Sequence, residues 1–112
     1  MNEEKEAPKK LKLAQDLAEQ GYNDVLVLTR ESANKVLTDK RTELLQVIEN
    51  EDVESVRELS RKVDRDPSRV SKDLKVLSEN NLVTFNDGEG DKKAPKMRHE
   101  NVFIEPIIMK SA

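Results

Sequence analysis

Five polar residues in one short stretch, Ser68, Arg69, Ser71, Lys72 and Lys75, define the chemistry this chain can offer. Hydroxyls donate and accept single hydrogen bonds, a guanidinium presents a planar fork of donors, and ammonium groups act as point charges. Together they suit an anionic or hydrogen-bond-rich partner. At about 100° per residue on a helix, Val70, Leu74 and Leu77 form one narrow apolar stripe. Ser68, Lys72 and Lys75 then fall close to diametrically opposite, with Arg69 and Ser71 on the flanks. One face is built for a core and the other for something polar.

The element that must carry these residues has clear ends. Asp66 suits an N-cap and Pro67 the first helical position, where a missing N–H costs nothing, while Asn80 and Asn81 can supply the left-handed residue that stops a helix. A preceding helix opens at Ser55 with Glu58 three residues on, the spacing of a capping box, and buries Val56, Leu59 and Val63. Between them Asp64, Arg65 and Asp66 leave room only for a turn. Two short helices so joined pack across each other and present the second outward, where Ser, Arg and Lys can enter a major groove. Arg57, Arg61, Lys62 and Arg65 lie on the outer side of the first helix and the turn, placed for backbone phosphates. The plainer alternative is a solvated surface: Asp73 and Glu79 share the second helix, and Glu58 can pair with Arg61 or Lys62.

Taken in order, residues 1–7 read as a charged, disordered tail. Pro8 opens a helix to Gln20 with Leu11, Ala14, Leu17 and Ala18 on one face and Gly21 as its stop. Val25 to Leu28 is a β-branched apolar run, hence a strand, and Thr29 to Val36 a short helix. Thr38 caps the helix Asp39 to Asn50, whose apolar face is Leu44, Leu45 and Ile48, with Val47 at its edge. After the helix pair, Leu82 to Phe85 is a strand, a Gly- and Asp-rich loop follows, and a second strand is expected from about Arg98 to Glu105. Lys92, Lys93, Lys96 and Arg98 make the later half of this expected hairpin basic, able to follow a phosphate backbone or approach a minor groove. The segments at Val25 and Ile107 and the N-terminal helix are the expected dimer contacts, since apolar runs such as Ile107 to Met109 are rarely left bare.

At 112 residues with a net charge of −3, the chain does not advertise nucleic-acid binding through its overall balance, so local distribution has to carry that reading. No cysteine is present, which removes disulfides, thiolate metal sites and a cysteine nucleophile. His99, the only histidine, lacks partners for a metal site or proton relay, and Gly88 and Gly90 are not followed by Lys-Ser/Thr at phosphate-loop spacing. No enzyme activity, metal or cofactor is therefore expected. No signal-peptide or membrane-spanning run occurs, so no membrane partner is expected and the cytoplasm is the default compartment.

The stretch from Leu37 to Val83, followed by a Gly- and Lys-bearing loop and Val102 to Ile107, resembles winged helix-turn-helix transcriptional regulators of the MarR/ArsR-like kind, especially small DNA-binding regulators of archaea and bacteria. The resemblance covers roughly Val25 to Ile108. It implies an α+β winged helix-turn-helix, with a recognition helix from Pro67 to Asn80 and a wing tip from Asp87 to Arg98. It departs at Asn81, where many relatives carry glycine, and at Asp87, Glu89 and Asp91, which argue against deep insertion of the tip into a minor groove. The expected organisation is a tail (1–7), a dimerising or covering segment (8–37) and a DNA-binding domain (38–109). The expected function is a homodimeric regulator, a repressor, of double-stranded DNA. The alternative is a winged helix used for protein contacts, an antitoxin that masks a toxin or a subunit of a larger assembly, favoured by the acidic balance and by Asp87, Glu89 and Asp91 in the wing.

Overall fold

Helix boundaries in this chain are set by side-chain oxygens at one end and, in three helices, by left-handed residues at the other. The computed structural model describes residues 12–86 and 93–106, which form an α+β protein with five helices and two small sheets among the described residues. The expected tail, the start of the first helix at Pro8, the first half of the expected wing tip (87–92, with Lys92), and Ile107 to Met109 lie outside the described residues.

The chain divides into two units, 34–98 and a second made from the segments before and after it. The larger unit receives the end of α2 (Arg30–Val36) and continues through α3 (Asp39–Asn50), α4 (Val56–Lys62), α5 (Pro67–Glu79), β2 (Val83–Phe85) and β3 (Pro95–Met97). The oxygens of Thr38, Ser55 and Asp66 accept from the backbone N–H groups of Arg41, Glu58 and Ser68 at 3.2, 3.0 and 3.1 Å. These satisfy donors that the first turn of each helix otherwise leaves unpaired. α4 closes on Asp64 at φ 53°, with Arg65 N–H donating to the Ser60 carbonyl and Asp64 N–H to that of Arg61. α5 closes identically on Asn81 at φ 64°, with Leu82 N–H donating to Leu77 and Asn81 N–H to Ser78. This pair of bonds ends a helix abruptly and requires a residue that tolerates positive φ, which Asp and Asn do better than most.

The core of this unit is aliphatic. Leu44, Val53, Leu59, Val70, Leu74, Leu77, Leu82 and Val83 are all essentially excluded from solvent, each contributing about 1.5–3 kcal/mol relative to exposure. α4 packs across α5, and α3 packs against both helices and against β3. Ser60 is the buried polar residue, its hydroxyl donating to the Val56 carbonyl at 2.8 Å.

β2 and β3 are antiparallel, pairing Val83 with Met97, Thr84 with Lys96 and Phe85 with Pro95. The hairpin's second strand is therefore Pro95–Met97 and not Arg98 to Glu105 as expected. The later strand, β4 (Asn101–Ile104), pairs in parallel with β1 (Val25–Leu28), Val25 opposite Asn101 and Leu28 opposite Ile104. Residues 99–106 thus belong with the N-terminal segment. The physical reason lies at Asp24, held at φ 49°. Its carboxylate takes the His99 ring at 2.8 Å and the Glu100 N–H at 3.2 Å, which ties the residues before β4 to the residue before β1.

In the same smaller unit, residues 12–19 form the helix α1, closed at Gly21 with φ 99° by the same pair of bonds seen at α4 and α5. The next residue, Tyr22, meets Phe103 edge-to-face with ring centroids 5.1 Å apart. Tyr22 and Ile104 are the large apolar side chains left exposed among the described residues. Among the described residues no helix is long and apolar enough to cross a membrane.

Candidate nucleic-acid interface

α5 separates its faces as its sequence dictates. Val70, Leu74 and Leu77 are buried, and Ser68, Arg69, Ser71, Lys72 and Lys75 are all exposed. None of the five side chains, nor those of Arg57 and Arg61 on α4, makes a hydrogen bond or ion pair to a described residue. An exposed cation with no internal partner keeps all of its donors for a ligand.

Three candidates from three elements converge. Arg57 of α4, Ser71 of α5 and Lys93 beside the hairpin line one cleft of about 390 Å³, with Val56, Pro67, Leu74 and Phe85 completing its walls. Two cations and a hydroxyl over an apolar floor suit an anionic group whose other side is apolar or planar.

Other candidates are already engaged. Arg65 does not point freely outward as expected: its side chain is only 14% exposed and its Nη2 donates to Asp73 Oδ2 at 2.6 Å. Asp73 also accepts from Arg41 Nε at 3.1 Å, and Arg41 Nη1 reaches the carbonyls of Lys35 and Val36 at 3.3 Å. Lys62 donates to Glu51 at 2.8 Å and lies 3.9 Å from Glu58. The Glu51 carboxylate raises its pKa above the ordinary lysine value, first through that hydrogen bond. Lys96 pairs with Asp52 at 3.2 Å, and Arg98 donates to Asn81 Oδ1 at 2.6 Å. Lys62 and Lys96 retain exposed surface and can exchange partners at low cost; Arg65 is fixed.

The profile of the HVO_A0114 family matches residues 36–104, more than half of the chain. The chain belongs to the HVO_A0114 family. No curated protein matches it. The region shared with the HVO_A0114 family runs from the end of α2 through β4, so it includes every candidate interface residue named above as well as the cleft.

Arg41 and Asp73 were not among the residues expected from sequence to matter at this face. A signal for Asp73 was available. On the helical wheel it lies about 60° from Val70, at the edge of the buried stripe, where a carboxylate needs a partner. Nothing in the sequence near Arg41 announces that it is the partner, because the two are 32 residues apart.

Proposed function

We propose that the larger unit is a winged helix-turn-helix that binds double-stranded DNA as a homodimer and represses transcription, with α5 in the major groove. The observation that carries this reading is the exposed polar row on α5, which has no side-chain partner among the described residues and lies opposite the buried stripe of Val70, Leu74 and Leu77. In the same reading the β2–β3 hairpin is the wing. Arg57, Arg61 and Lys93 follow the phosphate backbone, Arg69 and the serines reach base edges, and Lys72 and Lys75 neutralise charge. Two copies related by a two-fold axis would bring their α5 helices about one DNA turn apart and read a palindromic site.

A second reading, a protein-binding winged helix such as an antitoxin, is favoured by the exposed Tyr22 and Ile104 and by the net charge of −3. One titration separates the two. The protein is added to a labelled fragment of its own promoter and to an unrelated fragment of equal length, at low and moderate salt. Groove binding through several phosphates predicts preference for the promoter and a steep loss of affinity as salt rises. No binding to either fragment at low salt would sink the DNA reading and turn attention to a protein partner, whose apolar contacts salt scarcely weakens.

A further inference from the structure

We propose that Arg41 and Asp73 are positioning residues for DNA recognition: the Arg41–Asp73–Arg65 cluster fixes the roll of α5 about its own axis, and so decides which side chains face base edges. The inference rests on the groove-binding reading. Packing alone fixes this roll less firmly, because the buried stripe of α5 is narrow, three side chains in all, and apolar contact is non-directional. Charge-assisted hydrogen bonds are directional. Asp73 is gripped on both carboxylate oxygens by two elements other than its own helix, Arg41 at 3.1 Å from the first turn of α3 and Arg65 at 2.6 Å from the turn before α5. All three side chains are 14–20% exposed, so solvent ions screen the cluster little. Arg41 is itself held by the two carbonyls that end α2.

The geometry sets what is at stake. With side chains a helix has a radius of about 5–6 Å, so a roll of about 20° moves a contact atom by about 2 Å. That exceeds the tolerance of a hydrogen bond to a base edge. It matters far less to a phosphate contact made by a long lysine side chain.

Asp73→Asn leaves two guanidiniums without a counter-charge and risks unfolding, so the test uses Arg41→Gln, which keeps the Asp73–Arg65 pair. Affinity for the chain's own promoter and for an unrelated duplex is measured across a salt series, with thermal melting alongside. The expected result is about a tenfold weaker promoter complex, an unrelated duplex bound within about twofold of wild type, and an unchanged salt slope. If Arg41 touched a phosphate, both affinities would fall and the slope would drop by about one; if its role were only structural, both affinities would stay and the melting temperature alone would fall. Either result overturns the proposal. Should the wild type bind neither duplex, the groove reading fails by itself. The nuclear Overhauser contacts of the Val70, Leu74 and Leu77 methyls in Arg41→Gln then decide the point: shifted contacts support control of the roll, and unchanged ones overturn it.

Discussion

On the outer face of α5, Arg69 and Lys72 end in solvent, whereas in the turn before it and the hairpin behind it Arg65, Lys96 and Arg98 end on partners of the same unit. All five are cations within about thirty residues, and composition does not distinguish them. What distinguishes them is whether an acceptor lies within reach. A cation that already has an acceptor at 2.6 Å helps to hold the fold, and one with none among the described residues keeps its donors for a ligand.

The largest expected effect falls on the free set. Arg69→Ala with Lys72→Ala should weaken promoter binding about a hundredfold, roughly 2.7 kcal/mol, while the melting temperature stays within a degree or two because neither side chain packs. Loss of stability in that double variant would erase the contrast. Next comes the engaged set: Arg65→Ala leaves Asp73 half-paired and should cost about 2 kcal/mol of stability, seen as a drop on the order of 10 °C in melting. A variant that melts normally but loses DNA would return Arg65 to the phosphate-contacting group.

Smaller changes sharpen the same contrast. Asp64→Ala should cost about 1 kcal/mol by forcing alanine into a left-handed conformation, and Asp64→Gly should match or exceed wild type; equal denaturation midpoints for the two variants would mean that φ 53° is not the constraint there. Lys96→Ala breaks an ion pair with an almost fully exposed Asp52 and should change stability by less than about 0.5 kcal/mol. Smallest is the pH dependence of Lys62. Its folded pKa is raised above 10.5, so its contribution is present below that value and disappears as pH rises through the folded pKa. The stability difference between wild type and Lys62→Met should narrow as pH rises above 10.5, as followed by urea titration at pH 8 and 11.

Local features were legible in the sequence. The caps at Thr38, Ser55 and Asp66, the stops at Gly21 and Asn81, and the two faces of α5 all depend on residues within four positions of one another, where spacing is information. Pairings made at a distance were not. The strand expected as the partner of β2 pairs instead with β1, and nothing in Val102 or Ile104 says which apolar neighbour they will meet. The Arg41–Asp73 bond escaped for the same reason, as did the withdrawal of Arg65 from solvent: a charged residue's type is written locally, but its partner is chosen by the fold.

The parallel pairing of β1 with β4 also imposes an order in time. Asp24 and Glu100, which the Asp24 carboxylate joins, are 76 residues apart, and every contact between the two strands waits on a similar separation. During synthesis at about 5–20 residues per second, Val25 to Leu28 therefore spend roughly 4–15 s without their partner strand after leaving the ribosome. The segment 34–98 contains both strands of its own hairpin and all of α3, α4 and α5, so it has its contacts to hand earlier. The apolar run of β1 consequently waits longer for its partner strand than either strand of the β2–β3 hairpin does.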